Sequence, residues 1–343
     1  MRADPIRIAI IGCGAVSELL HLPALADRAE VDTTLLVDKN ETRARELAEK
    51  YKVPNHAPAW NKHSEEFDAA IIALPHFLHA SVTEELLDAG KHVLVEKPMA
   101  LSTAECDTMI SAAAQSKATL TVGQMRRFCP AVAMAKTLVE RNLIGEVRNF
   151  AVHDGVVFAW PVASDFQFRK ESAGGGVLVD AGAHALDMVI ALLGTPEVTA
   201  YRDDAAGGVE ADCEIDLRLP NGATGFVELS RTRELKNSIR IEGTLGALEV
   251  FFYQNQFRIE GLNPQQAYPV IAAPDAELTP DMAIWPLMIR LQLADWIESI
   301  SDERPPQVSG EEGRKVVNLI ECCYATKTPL RFPWVKQSAS LSQ

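Results

Sequence analysis

The chain is predicted to be an α/β protein, with an N-terminal doubly wound parallel sheet and a C-terminal α+β half built on a mostly antiparallel open sheet. Three observations predict it. Up to residue 123, short apolar runs alternate strictly with helical patterns. The runs at 8–11 and 69–73 are apolar on both faces, as parallel strands covered by helices must be. Beyond 123, several strand patterns follow one another with no helix between them, which is the grammar of an antiparallel sheet.

The first domain is therefore set at 1–123. It comprises strand 7–11 and helix 15–27, strand 33–37 and helix 41–51, strand 69–73 and helix 77–89, strand 92–96 and helix 103–117, then a closing strand 119–122. The second, 124–343, opens with helix 131–141, strand 146–153, an irregular stretch and a glycine-led helix 176–193. Strands 197–203, 210–219, 223–231, 237–243 and 246–251 follow, and Pro220, Asn221 and Gly222 make a strong hairpin signal between two of them. Amphipathic helices 283–300 and 310–325 come last, separated by the breaker Arg304, Pro305, Pro306, and the final one can pack back on the first domain.

Composition narrows the function classes. A chain of 343 residues, 47% hydrophobic and with mean hydropathy near zero, can bury a core in both halves. No apolar run approaches the roughly 18 residues of a membrane span, and the first strand begins almost at once, so a cytoplasmic protein is expected. The six cysteines show no metal-ligand spacing and no disulfide framework, which predicts reduced, mostly buried thiols and no metal site. A net charge of -14 argues against nucleic acid as a partner.

Gly12, Cys13, Gly14, Ala15, Val16 and Ser17 follow the first strand and open the first helix, the context in which a glycine fingerprint holds a dinucleotide. Gly12 permits the tight turn, and Gly14 lets the backbone approach a pyrophosphate. Ala15 and Val16 lie at the helix N-terminus, which favours the phosphate charge. Ser17 replaces a third glycine with a small side chain. A glycine-rich turn with no ligand competes for the loop taken alone. Asp38, 24 residues after Gly14 at the end of the second strand, shifts that balance. Its carboxylate suits ribose hydroxyls and repels a 2′-phosphate, so NAD is expected, while neighbouring Lys39 leaves NADP open. Leu74, Pro75, His76 and His79 follow the strand at 69–73 and are expected to face the same crevice as cofactor contacts.

Glu96, Lys97 and Pro98 stand directly after the apolar run Val93, Leu94, Val95. Ligands of parallel sheets bind beyond the carboxyl ends of strands, so Lys97 is aimed at a ligand and Pro98 restricts its backbone. The competing reading is a solvated Glu–Lys pair at a surface turn. In the segment from Gly174 to Asp187, Asp180 and His184 are four apart and share a helix face, while Leu178, Ala185, Met188, Val189 and Leu192 supply an apolar one. A histidine adjusted by a nearby carboxylate suits proton transfer, although an ordinary helical pair is the competing reading. Gly182 costs a helix interior about 1 kcal/mol, which close approach of a ligand or backbone would explain. Three further residues are candidates for substrate contact: Trp160, in the irregular aromatic stretch before that helix; Arg127, as a carboxylate or phosphate binder; and Tyr324, on the last helix. A salt bridge and core packing compete for the last two.

Taken together, Gly12 and Gly14 after the first strand, the Glu96–Lys97–Pro98 run, and Gly174, Gly175, Gly176, Leu178, Asp180, Gly182, His184 and Asp187 in one segment resemble the glucose-fructose oxidoreductase, inositol dehydrogenase and rhizopine catabolism (Gfo/Idh/MocA) family. The resemblance extends through the segment Gly123 to Phe128 and through Val308 to Gly313. It implies an N-terminal Rossmann domain and a C-terminal domain whose sheet serves substrate binding and a homodimer or homotetramer contact. It also implies hydride transfer between nicotinamide and a hydroxyl or carbonyl carbon of a sugar, cyclitol or nucleotide sugar. By position, Lys97 and His184 become the proton-handling and substrate-binding groups, with Asp180 tuning them, Glu96 and Lys97 beside the cofactor, and a cis bond before Pro98. Two alternatives stay open: a regulatory protein that senses a dinucleotide or metabolite without turnover, and an enzyme whose tightly held NAD drives transient oxidation in bond cleavage or isomerisation.

Overall fold

The computed structural model describes residues 4–330 apart from 27, 163, 206, 262–267 and 272–283. Its first sheet is built from β1 (Ile6–Ile11), β2 (Val31–Val37), β3 (Asn55–Ala57), β4 (Ala69–Ile72), β5 (His92–Glu96) and β6 (Leu120–Gly123). The order is β3-β2-β1-β4-β5-β6 and every pairing is parallel. Successive residues of β1 serve opposite faces. Ile8 and Ile10 pack with Leu25, Leu36 and Leu47, whereas Ala9 and Ile11 pack with Leu35, Leu86 and Met109. The covering helices are α1 (Leu22–Ala26), α2 (Glu41–Tyr51), α3 (His79–Asp88) and α4 (Thr103–Ser116). Strand order reverses between β1 and β4, and the chain ends leaving these two strands flank the crevice where such sheets take ligands.

Two departures from expectation are local. The edge strand β3 is only three residues long and has no apolar run to announce it. The first helix begins as a π-helical turn at Ser17–His21 before α1, within the helix expected over 15–27, whose last residue lies outside the described residues. That turn places the buried His21 against Glu96.

Among the described residues the second sheet has nine strands. They are β7 (Val147–Gly155), β8 (Glu197–Asp203), β9 (Asp212–Arg218), β10 (Thr224–Ser230), β11 (Ser238–Gly243), β12 (Gly246–Phe251), β13 (Gln256–Gly261), β14 (Tyr268–Ile271) and β15 (Lys327–Pro329), in the order β14-β13-β12-β11-β7-β10-β9-β8-β15. Only β7 with β10 and β8 with β15 pair in parallel. The last three strands escape a reading of periodicity because they are short or interrupted by polar residues. The helices are α5 (Pro130–Glu140), α6 (Lys170–Ala173), α7 (Val177–Leu193), α8 (Ile284–Ser301) and α9 (Gly310–Ala325).

α7 is the central element of this half. The apolar stretch Lys170–Leu193 is long enough to cross a bilayer, yet 78% of its apolar window is buried inside the protein, so it is a core helix. Leu178, Ala185, Met188, Val189 and Leu192 pack in one core with Val152, Ile215, Val227 and Ile239 of the sheet. α9 joins the two halves. Thr103 at the start of α4 donates through N and Oγ1 to Glu321 at 3.0 and 2.7 Å, and Val122 N donates to Val308 O at 3.0 Å.

Candidate active site

The cleft between the two sheets has a volume of about 830 Å³. Its lining includes Gly12, Gly14, Ala15, Val16, Asp38, Lys39, Leu74, Pro75, His76, His79, Glu96, Lys97, Trp160, Asp180 and His184, fifteen of the candidates drawn from the sequence. Arg127 and Tyr324 are not among the lining residues.

At the β1 end, Gly12 has φ +101° and a Cβ there would stand 2.2 Å from Ala73 O, so the turn needs glycine. A Cβ on Gly14 would meet nothing within 4 Å, leaving its backbone open to the cleft. Ser17 Oγ donates to Gly12 O at 2.6 Å and closes the loop from within. Asp38 accepts from Cys13 N through Oδ2 and from Asn40 N through Oδ1, both at 2.8 Å. Each oxygen keeps a second lone pair, so the carboxylate is oriented and still able to accept ligand hydroxyls. Arg43, absent from the sequence candidates, lies beside it, with Nε donating to Cys13 O at 3.2 Å and its guanidinium paired with Glu18. These features fit a dinucleotide.

His76 and His79 line the cleft and are held by backbone carbonyls. His76 Nδ1 bonds Ala173 O at 2.9 Å, and burial, with His79 and Lys97 nearby, pushes its pKa down to about 3. His79 bonds Pro98 O and Leu74 O at 2.8 and 2.9 Å, tying the loop after β4 to the loop after β5. The Lys97–Pro98 bond is cis.

Glu96 and Lys97 do not pair with each other through their side chains. Glu96 Oε1 bonds the buried His21 Nε2 at 2.8 Å, and this bond holds Glu96 below the usual carboxylate range against the opposing effect of burial. Lys97 Nζ instead donates to Asp180 Oδ1 at 2.7 Å and Asp180 O at 3.1 Å. An ammonium has three N–H bonds, so one remains for a ligand oxygen. Asp180 Oδ2 accepts from Arg231 Nη2 at 3.0 Å, and the Arg231 guanidinium lies 5.2 Å from the Phe158 ring. Burial opposes the charge on Asp180, but Lys97 and Arg231 outweigh it and hold the group ionised.

Asp180 and His184, expected on one helix face, both line the cleft, and the Asp180 carboxylate bonds Lys97 and Arg231. His184 is 9% exposed, and its Nδ1 lies 3.1 Å from Gln124 Oε1. Burial, then Lys97 and Arg126, hold its pKa well below the usual histidine value, so the ring is neutral. Gly182 answers to packing and not to a ligand, since a Cβ there would stand 2.8 Å from Leu229 Cδ1 on β10.

The glycines before α7 have the same kind of cause. A Cβ on Gly174, Gly175 or Gly176 would fall 2.6 Å from Leu101 Cδ2, 1.8 Å from Tyr324 Oη or 1.9 Å from Glu210 O. Glu210 Oε1 accepts from Gly176 N, Leu178 N and Tyr324 Oη at 2.8, 3.0 and 2.9 Å, capping the helix that carries Asp180. Tyr324 therefore anchors α7 from behind. Arg127 is likewise structural: it is 8% exposed and forks onto Asp187 at 2.7–2.9 Å, with Nη1 on Glu312 at 2.9 Å.

Of the adjacent pair, Arg126 is the one that reaches the cleft. It bonds Asp154 Oδ2 at 2.6 Å and Tyr253 Oη at 3.3 Å, and its guanidinium lies 4.7 Å from the Phe252 ring and 5.5 Å from the Tyr253 ring. Tyr253 stacks on Trp285 at 6.1 Å and Trp285 on Trp160 at 5.6 Å, all three lining the cleft. Arg126 lies in the 3₁₀ turn Met125–Phe128, where the sequence offers two adjacent arginines and no periodicity to choose between them.

Residues 6–124 match the oxidoreductase family with an NAD-binding Rossmann fold, and residues 132–249 match the GFO/IDH/MocA C-terminal domain. The chain belongs to the Gfo/Idh/MocA oxidoreductase family. It is 26% identical to D-xylose 1-dehydrogenase (NADP(+)) 2 of Haloferax volcanii over 92% of this chain and 95% of that one. It is 28% identical to levoglucosan dehydrogenase of Pseudarthrobacter phenanthrenivorans, over 66% of this chain and 66% of the length of that relative. Among solved structures, aldose-aldose oxidoreductase of Caulobacter crescentus complexed with glycerol superposes with TM-score 0.82 at 25% identity, over 94% of this chain and 97% of that one. Levoglucosan dehydrogenase in complex with NADH and levoglucosan shares the fold with TM-score 0.84 at 22% identity, over 94% of this chain and 97% of that one.

Proposed function

We propose that the protein is an NAD-dependent dehydrogenase or reductase acting on a CH–OH group of a sugar or sugar-like polyol. The observation that carries this reading is Lys97, whose ammonium rests on Asp180 with one N–H to spare, beside a neutral His184 in a cleft fitted to a dinucleotide. Gly12, Gly14, Asp38 and Glu96 would hold the cofactor, and nicotinamide would supply the hydride acceptor or donor.

The chain's own groups handle the proton. Lys97 binds the substrate hydroxyl through its free N–H and favours negative charge on that oxygen. His184, neutral and facing the cleft, takes the hydroxyl proton in the oxidative direction and returns it in the reductive one. Asp180 keeps Lys97 in place and Arg231 keeps Asp180 in place. Arg126 and Asp154 offer donors and acceptors for further hydroxyls, and Trp160 offers an aromatic face to a sugar ring.

Support for a sugar comes from this mixture of fixed charges and aromatic surface, and from relatives named as acting on D-xylose and levoglucosan. Support for turnover over sensing is the Lys97–Asp180–His184 set, which a binding protein does not require. A screen of aldoses, polyols, glycosides and nucleotide sugars with NAD, followed by NADH absorbance, tests the reading. Rapid NADH formation with at least one of them is expected, and none with any would overturn it. The outer face of the second sheet, with half-buried His153, Phe226, Glu228 and Arg240 and no helix packed on it among the described residues, supports a homodimer or homotetramer. Light scattering should then give a multiple of 37.5 kDa.

A further inference from the structure

We propose that Gln124 is a positioning residue that fixes the tautomer of His184 and thereby aims its basic nitrogen at the substrate hydroxyl. The proposal rests on the reading of the cleft as a dehydrogenase site. Gln124 directly follows β6, is 1% exposed, and sends its side chain across to α7. Its amide touches two groups there, and only one orientation satisfies both. Ala183 O, 3.3 Å from the amide nitrogen, accepts and never donates, so the NH₂ end must face it. The amide oxygen is then turned to His184 Nδ1 at 3.1 Å, and a bond to an oxygen requires that Nδ1 carry hydrogen.

A neutral imidazole has a single N–H, so Nε2 is left as the bare acceptor. Burial and the cations Lys97 and Arg126 keep the ring neutral, which removes the doubly protonated alternative. Among the described residues no group bonds Nε2, and the ring lines the cleft. Oxidation of a carbinol breaks its C–H and O–H bonds and forms C=O, with the hydride going to the NAD of the proposed function. The hydroxyl proton goes to Nε2, while Nδ1–H stays on Gln124 throughout. With the opposite tautomer, Nε2 would present a hydrogen to the hydroxyl and could not accept its proton.

The test is imidazole ¹⁵N NMR of the full chain with labelled histidine, using His184→Gln to identify the signals of His184. Wild type at neutral pH is expected to show the neutral Nδ1–H form. Gln124→Met, which offers no oxygen, should lose that preference and lower kcat about tenfold or more, with KM changed less. Gln124→Glu should convert His184 to imidazolium and shift the pH–rate profile. An Nε2–H spectrum in wild type, or a Gln124→Met protein with the wild-type tautomer, would overturn the proposal. Should Gln124→Met fail to fold, the wild-type spectrum decides alone. The spectrum needs no substrate, so an empty sugar screen would refute the dehydrogenase reading without touching the tautomer, and the reverse also holds.

Discussion

Lys97 and Asp180 lie 83 positions apart in sequence and meet at 2.7 Å between Nζ and Oδ1, one leaving the end of β5 and the other on the first turn of α7. The contact joins the two sheets at the cleft. It also explains why neither element can shift without disturbing the other: the cis Lys97–Pro98 segment is clamped by His79, and the α7 N-terminus is capped by Glu210. Asp180 has a second cation, Arg231, on its other oxygen.

Arg231→Met should lower turnover about 10- to 100-fold, the range expected for one hydrogen bond to a charged group. It should also move the pH–rate profile to higher pH, because removing a cation raises the proton affinity of the groups around Asp180. Arg231→Lys restores the charge and should recover part of the loss. A Met variant with the wild-type profile would show that Arg231 does not act on the site.

Arg127 carries the opposite expectation. Arg127→Met strips the buried Asp187 of its partner and should destabilise the fold by about 3–5 kcal/mol in urea unfolding. The folded fraction should keep the wild-type KM. A raised KM with unchanged stability would return Arg127 to substrate binding.

Asp38→Ala should weaken NAD more than NADP, since a carboxylate placed to accept from ribose hydroxyls would also disfavour a 2′-phosphate. Isothermal titration with each dinucleotide checks this, and an unchanged ratio of affinities would remove Asp38 from cofactor selection.

Acid should destabilise the protein through its buried neutral histidines. His76, His79 and His184 all have folded pKa values below the ordinary 6.5, His76 at about 3. The unfolded chain takes up protons that the folded chain refuses, so their contribution is whole above pH 6.5 and is lost as pH falls toward the folded values. Each costs about 1.4 kcal/mol per pH unit inside that window. Urea midpoints that stay flat from neutral pH to mildly acid conditions would contradict this.

Much of the fold was legible because its signals are local. The alternation of apolar runs and helices marks the parallel sheet, and Gly12, Asp38 and Lys97 stand at strand ends where chemistry collects. What escaped was set by contacts distant in sequence. Arg231 follows a strand with nothing to distinguish it from a surface arginine until Asp180 is seen beside it. Gln124 carries no charge and gains meaning only from the tautomer it selects. Arg126 and Arg127 are adjacent, and only the 3₁₀ turn decides that the first enters the cleft and the second the core. Gly182 read as room for the close approach of a ligand or backbone, and the Leu229 side chain fills the space. Spacing alone cannot tell a gap kept for substrate from one filled by a neighbouring side chain.

The central claim is that Lys97 and His184 together manage the proton of a sugar hydroxyl. It is tested most directly by NADH formation from the best substrate of the screen, measured for wild type, Lys97→Ala and His184→Ala at matched NAD saturation. Each variant is predicted to bind NAD and to lose turnover by about 10²- to 10⁴-fold, the share that a positioned acid–base group contributes. Turnover at the wild-type rate by either variant would contradict the account.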